Sequence, residues 1–368
     1  MPNEKRLHII ALDVPFPADY GGAVDMFYRI KALYKLGYEL TIHIFEYGRG
    51  KQKELEKYGK VIYYKRSFSF LNLFSSIPFI VKTRKSPELL QNLLSDNVPI
   101  FFEGIHTTYY LTNPDIASRM TYVRMHNIEH AYYYDLAKGQ HLFKKLFFRL
   151  ESYKLKNYER ILSHAKKVLA IKKEDQSHFL KYNPITEVLP ASLPEFEIRI
   201  SQTKNYALFH GNLSVQENEK AIYWIIDALK NKLTDKFPLL VAGKNPSDRL
   251  LKFCNSQNIE VISNPPENEL DQLIAEAQIH IFHTEYPSGV KLKLLNALHS
   301  KGQILINDAM TNDDEIKGFC QVANSKNEYS LKFEVLKNRL LSNEEFNERI
   351  NLLRNKFSTI ENIKKVIL

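Results

Sequence analysis

Lys291 and Lys293 stand two residues apart in HTEYPSGVKLKLLNALHSKGQILIN, directly after the apolar run IHIF. Pro287 and Ser288 are helix start signals, and Val290, Leu294, Ala297 and Leu298 recur at helical spacing, which predicts a helix over Gly289–His299. Both lysines then fall in or near its first turn, where positive charge opposes the helix dipole by some tenths of a kcal/mol, up to about 1. A bound diphosphate reverses that sign. Gly289 lets the backbone approach closely, the N–H groups around Ser288, Gly289 and Val290 hold phosphate oxygens, and the lysines neutralise the charge of a departing phosphate. The competing reading is a surface helix with scattered lysines.

Two further loops carry unusual residues. In VPFPADYGGAVDMFYRIKALYKLGY, tandem Gly21 and Gly22 precede a helix expected from near Val24, so Gly22 either admits an anion to that helix end or merely caps it. No GxGxxG occurs there, which argues against a dinucleotide site. The second loop is RMHNIEH, after the apolar TYV run. A set of Arg, His, Asn, Glu and His at a strand end is costly to bury unless paired or used. His126 and His130 are four apart and could share a helical face as metal ligands, yet Glu129 between them does not make HExxH. An imidazole that contacts a hydroxyl or phosphate fits His126 better, and no metal site is expected.

The elements that must position these loops form two blocks of apolar, β-branched runs alternating with helical patterns, as in parallel sheets flanked by helices. The first block offers strands at Leu7–Val14, Leu40–Phe45, Val61–Tyr64, Pro99–Glu103, Thr121–Met125 and Val168–Ile171. The second offers Ala207–His210, Leu239–Ala242, Ile259–Ile262, Ile279–Phe282 and Ile304–Asn307. Pro190–Asn205 lacks periodicity and reads as a linker, giving an α/β chain of two doubly wound, Rossmann-like domains, 1–195 and 196–368. The length of 368 residues suits two domains better than one. In such sheets ligands bind beyond the carboxyl ends of the strands, where all three loops fall.

Composition narrows the partners. A net charge of +9 favours anions in general, but no helix-turn-helix, RNP or finger pattern accompanies it, so nucleic acid is not expected. Two cysteines, Cys254 and Cys320, imply neither disulfide framework nor zinc site. With no signal peptide or spanning segment in the sequence, a cytoplasmic protein is expected. From His141 to Lys173, aromatics and leucines recur at helical spacing between lysines, which reads as one long amphipathic helix. Its basic face is either simply solvated or docks peripherally on the inner face of a membrane, as the apolar SFLNLFSSIPFIV (Ser69 to Val81) could also do.

Taken together, DYGGAVD, RIKALYKLGYELT, RMHNIEHAYYYDLA, HGNLSVQENEKAIYWII and PSGVKLKLLNALHSKGQILIN resemble bacterial glycosyltransferases of the large family 4 group, with the GT-B fold. The resemblance spans almost the whole chain. It implies two Rossmann-like domains facing across a cleft, sugar transfer with retention from a nucleotide-sugar to a glycan or lipid-linked acceptor in envelope polysaccharide or glycoconjugate synthesis, and no cofactor or metal. By position, Gly22 lies under the donor phosphate or sugar and His126 faces the transferred sugar. Gly211 and Asn212 line the donor side, and Lys291 acts on the leaving phosphate with Lys293. The family usually carries a glutamate for the donor sugar and a second for the ribose. Ser288 and Asn296 stand there instead, and an asparagine hydrogen-bonds a ribose hydroxyl less strongly than a carboxylate. Two other readings compete. A GT-B-fold nucleotide-sugar epimerase needs acid/base carboxylates near the sugar. A non-catalytic sugar-nucleotide or glycan-binding subunit would bind without turnover.

Overall fold

The computed structural model describes residues 5–285 and 291–367. Two units are resolved by packing, Met1–Glu195 with Lys356–Leu368, and Phe196–Asn355. In the first, β1 (Arg6–Ala11), β2 (Glu39–Glu46), β3 (Lys60–Lys65), β4 (Ile100–Glu103), β5 (Thr121–Met125), β6 (Lys167–Ala170) and β7 (Thr186–Val188) form one sheet in the order 3-2-1-4-5-6-7. All its strand pairs are parallel. In the second, β8 (Lys204–Asn212), β9 (Leu239–Lys244), β10 (Glu260–Ser263), β11 (Ala277–Ile281), β12 (Gln303–Ile306) and β13 (Gln321–Val322) form a parallel sheet in the order 10-9-8-11-12-13.

The central strands read as continuous apolar runs because helices cover both faces of a parallel sheet. IFFE of β4 and QILI of β12 are buried at every residue. In the first sheet, Ile10, Phe102, Val123 and Val168 pack on one face, and Leu7, Ile9, Phe101 and Leu169 on the other. Strand order reverses beside β1 in the first unit and beside β8 in the second. Loops leaving β1 and β4, or β8 and β11, therefore diverge and open a crevice at the carboxyl end of each sheet.

Four expectations change. The helix after β1 begins at Gly21, not near Val24, because extended Tyr20 is its N-cap and the Tyr20 carbonyl accepts from the Val24 N–H at 2.9 Å. The long basic helix ends at Tyr158: Glu159–His164 tightens to a 3-10 turn, and Lys167–Ala170 is drawn into the sheet between β5 and β7. The phosphate-loop helix is described as Leu292–Leu298, with Lys291 as its extended N-cap.

The second domain, expected to run to residue 368, ends at Asn355. Helix Thr359–Ile367 buries Ile363, Val366 and Ile367 in the apolar cluster of the first unit. The Tyr122 hydroxyl donates to the Ile367 carbonyl at 3.2 Å and Lys167 Nζ to that of Val366 at 2.9 Å.

Candidate functional site

In the second unit the carboxyl end of β8 is shaped by glycine. Gly211 and Gly243 are register partners, and a Cβ on Gly243 would lie 1.8 Å from the Gly211 carbonyl oxygen, so only glycine fits. Helix Gln216–Leu229 then begins with Glu217 and Asn218 in its first turn. Asn212, beside Gly211, accepts on Oδ1 from the Ser214 N–H at 3.1 Å, and its carbonyl accepts from Asn218 Nδ2 at 2.8 Å. The turn is thus closed by its own side chains.

Both predicted lysines reach this turn. Lys291 Nζ is 3.3 Å from Glu217 Oε1, and the Thr284 hydroxyl donates to the same oxygen. Burial acts to raise the Glu217 carboxyl, but the Thr284 hydroxyl and Lys291 hold it below the usual range. Lys293 Nζ donates to Asn218 Oδ1 at 2.6 Å, 4.8 Å from the centre of the Phe209 ring and 5.6 Å from that of Phe282. Loss of water, opposed by Glu217 and aided by Lys291, lowers its pKa to about 8. Its stem runs past Gly211, where an added Cβ would stand 3.7 Å from Lys293 Cδ. The arrangement offers two ammonium groups, one short of water and without a carboxylate partner among the described residues, at the carboxyl end of the sheet.

Asn296 sits on the same short helix, but its Oδ1 accepts from Arg199 Nη1 at 2.7 Å, and Arg199 also holds Asp271 at 2.5 Å. Its acceptor is therefore engaged within the unit. Ser288, Gly289 and Val290 lie outside the described residues. Sequence reading passed over Glu217, Asn218 and the pairing of Trp224 with His283, whose rings stack at 3.9 Å and 9°. The lysine contacts join residues 74 and 75 apart, which no local pattern could signal.

In the first unit, His126 leaves β5 between two buried carboxylates. Its Nε2 is 3.2 Å from Glu103 Oε2 and its Nδ1 3.5 Å from Asp25 Oδ2. Those carboxylates also bind arginine: Arg29 bridges Asp25 at 2.9 Å and Glu103 at 2.8 Å, and Arg124 reaches Asp25 at 3.1 Å. Burial works to raise the Asp25 carboxyl, yet the Arg124 and Arg29 guanidiniums hold it far below its ordinary value. Glu103 is likewise held low by Arg29 and His126 against its burial. His126 is thereby fixed in orientation by a buried ionic network. Gly22 lies in the first turn of helix Gly21–Lys35, where a Cβ would come within 3.0 Å of the Tyr20 ring.

His126 and His130 do not share a helix face, since the helix starts at Glu129; His130 turns instead to Glu159 at 2.7 Å. Among the described residues two triads could in principle hold a cation, Asp25–Glu103–His126 and His130–Glu159–His178. In the first the arginines occupy the carboxylate oxygens. In the second Glu159 spends one oxygen on each imidazole, at 2.7 and 3.0 Å.

This architecture is found in solved glycosyltransferases. Across 99% of this chain and 98% of the other it matches HepE of Anabaena in complex with UDP, at TM-score 0.64 and 11% identity. Two sheets in these orders, over nearly the full length, decide the fold. The chain has the GT-B fold. A glycosyltransferase from Rickettsia africae shares this GT-B architecture at TM-score 0.61 and 14% identity over 99% of this chain and 97% of that one. A mutant of TarM from S. aureus, solved with UDP, fondaparinux and alpha-GlcNAc-glycerol, matches at 0.59 and 12% over 99% of both chains. In sequence, the chain is 25% identical over 315 residues, 80% of this chain and 81% of the relative, to an uncharacterised 44.6 kDa protein in the cps region of Klebsiella pneumoniae. No protein-family model matches the chain.

Proposed function

We propose that the chain is a glycosyltransferase whose second unit binds a nucleotide-sugar and whose first unit binds a glycan or lipid-linked acceptor. The carrying observation is the pair Lys291 and Lys293 at the carboxyl end of β8, one of them lowered to about 8 chiefly by burial. A diphosphate there gains two charge-assisted contacts and removes the repulsion between the lysines. HepE, alike in fold, has been solved with UDP and with UDP-glucose, which makes a uridine diphosphate sugar the first donor to test. Transfer with retention, a hexose as the transferred group and no metal requirement complete the reading. In it His126 positions substrate for transfer, and Gly22 admits the donor's phosphate or sugar.

A screen of nucleoside diphosphates and their sugars by thermal shift tests this directly, since ligand at 100 times its Kd stabilises the native state by about 2.7 kcal/mol. Stabilisation by none of them would sink the donor site. Because Asn296 is already engaged by Arg199, binding without transfer would favour a non-catalytic subunit instead.

The same reading puts the chain at a membrane surface. On helix Leu142–Tyr158 the outward face carries Leu142, Phe143, Leu146 and Leu150, of which Phe143 is 89% exposed, interleaved with exposed Lys144 and Arg149. Exposed Phe70 and Phe74 add to the apolar surface of this unit. Apolar side chains among basic ones suit the boundary of an anionic bilayer. Among the described residues no helix is long and apolar enough to cross one. Co-sedimentation with vesicles containing phosphatidylglycerol should occur and should weaken in Phe143→Glu; absence of binding at low salt would count against it.

A further inference from the structure

Around the carboxyl end of the first sheet, two guanidiniums converge without a carboxylate to meet them. Arg84 is 4% exposed and spends its donors on backbone: Nε and Nη2 on the Leu12 carbonyl at 3.1 and 2.7 Å, Nη1 on that of Ile80 at 2.6 Å. Arg66, just beyond β3, hydrogen-bonds among the described residues only the Thr83 hydroxyl, from Nη2 at 3.1 Å and Nε at 3.4 Å, and lies over the rings of Tyr47 and Phe68 at 4.9 and 4.8 Å. The Thr83 hydroxyl and Arg84 Nη1 both donate to the Ile80 carbonyl, so the two arginines rest on one turn. Neither has a carboxylate within ion-pair distance among the described residues.

Other buried arginines of the chain are managed differently. Arg29 and Arg124 are neutralised by Asp25 and Glu103. Arg349 also rests on backbone carbonyls, those of Gly302 and Ser300, with the charge of Glu345 acting to keep it protonated. Arg84 is depressed to about 9, first by burial and then by the charge of Arg66. A buried guanidinium with a second, half-buried one close enough to repel it is a cost that no ion pair among the described residues offsets.

The surroundings are built for a polar ligand. Asp13 spends Oδ1 on its neighbour's Val14 N–H, and burial raises its carboxyl against the pull of Arg49, Arg84 and Arg66, while buried Glu129 lies 3.9 Å from His106 Nε2. His106 Nδ1 is buried with no hydrogen-bond partner, and its imidazole is kept neutral by burial and by Arg84. Burial and Glu129 push the Tyr133 hydroxyl up, while Arg84 and Arg66 act on it in the opposite sense. These residues come from the segments that follow β1, β3, β4 and β5, at the crevice where such sheets hold ligands.

We propose that Arg66 and Arg84, with His106 and Tyr133, form an anion subsite that takes a phosphate ester or carboxylate carried by the acceptor. That the ligand is an acceptor rests on the transferase reading; that the subsite takes an anion does not. The planar guanidiniums match either oxyanion bidentately, and the aromatic rings of Tyr47 and Phe68 beside Arg66 can cover a sugar or an apolar tail attached to it.

The test is a calorimetric titration of the intact protein, held saturated with UDP so that the lysine site is filled, with inorganic pyrophosphate and separately with glucuronate. At least one should bind with unit stoichiometry, and which of them binds more tightly separates phosphate from carboxylate. Arg66→Gln and Arg84→Gln should each weaken it by roughly tenfold or more, the loss of one charge-assisted contact, while UDP affinity stays within about twofold. Should Arg84→Gln fail to fold, Arg66→Gln, whose side chain holds no backbone, decides alone. Binding of neither anion, or affinity unchanged in Arg66→Gln, overturns the subsite. Failure of UDP to bind, with anion binding still sensitive to Arg66→Gln, counts against the donor reading and leaves the subsite standing.

Discussion

Lys293 holds its ammonium 2.6 Å from the amide oxygen of Asn218 and 4.8 Å from the centre of the Phe209 ring, with no carboxylate of its own among the described residues. Its pKa of about 8 follows chiefly from lost hydration. A bound diphosphate restores a counter-charge and raises that value, so binding favours the protonated lysine. Affinity for a nucleoside diphosphate should be level from about pH 7 to about 8, above the last phosphate ionisation, and fall above pH about 8, by up to about tenfold per unit, as free Lys293 loses its proton. Calorimetry at pH about 8 in buffers of different ionisation enthalpy should register proton uptake. A flat profile to pH about 9.5 would remove Lys293 from the site.

Substitution separates binding from folding at the same residue. Lys291→Ala and Lys293→Ala should each weaken nucleoside diphosphate binding by roughly 1.5 to 3 kcal/mol. Lys293→Met should not destabilise the free protein, because a folded pKa of about 8 lies below the unfolded value, and the charged form is the costlier one to bury. By the same sign, wild-type stability gains from Lys293 as pH rises from about 8 to about 10.4, and Lys293→Met should lack that gain. Thermal unfolding against pH checks both. Unchanged affinity in both alanine variants would refute the phosphate role.

His126 and its carboxylates predict a different split. His126→Ala should leave nucleoside diphosphate affinity intact, since Lys291 and Lys293 belong to the other unit, and lower sugar transfer strongly. It should cost about 1 kcal/mol through the lost bond to Glu103. Asp25→Ala leaves Arg29 and Arg124 short of a partner and should cost about 3 to 5 kcal/mol. Because Asp25 and Glu103 are both held below their ordinary values, their contribution is full above pH about 5 and is lost as pH falls below about 4. A fall in transfer matched by loss of most native stability would make His126 a packing residue alone.

The alternation of apolar runs located eleven of the strands because buried parallel strands are written in consecutive residues. Thr186–Val188 and Gln321–Val322 escaped, being three and two residues long at sheet edges. Helical spacing misled from Glu159 to Lys166, and the run Val168–Ile171, read both as a strand and as part of the long helix, is settled as strand by its neighbours β5 and β7. At the site, lysines beside a helix start were readable as residue types at a spacing that suits phosphate. Glu217 and Asn218 were not, nor was the unrelieved charge of Arg84, because these depend on which loops the sheet order brings together.

Chelation should leave both donor binding and transfer unchanged. The lysines can meet phosphate charge that a cation would otherwise carry. The adjacent acids Asp313 and Asp314 are taken up in starting a helix, Asp313 Oδ1 accepting from the Ile316 N–H at 3.3 Å. Activity measured after EDTA and restored by added Mn²⁺ or Mg²⁺ would contradict this and direct attention to the His130–Glu159–His178 triad.

The last prediction concerns the C-terminal helix. Ile363, Val366 and Ile367 enter the core formed by β1, β2 and helix Gly21–Lys35, alongside Tyr122 of β5. The Thr359 hydroxyl closes the join by accepting from the Leu193 N–H at 2.9 Å and donating to the Leu193 carbonyl at 3.1 Å. Deleting residues 358–368 uncovers three large aliphatic side chains, each worth about 1.5 to 3 kcal/mol when buried. The loss should therefore reach several kcal/mol and fall on the first unit. Hydrogen exchange should report it as faster exchange in β1, β2 and β5, with β8, β9 and β11 unchanged and nucleoside diphosphate affinity retained. The milder Ile363→Ala should show the same pattern at about 2 to 5 kcal/mol. Exchange accelerated equally in both sheets would mean that the two units unfold as one and that the helix supports more than the unit it packs on.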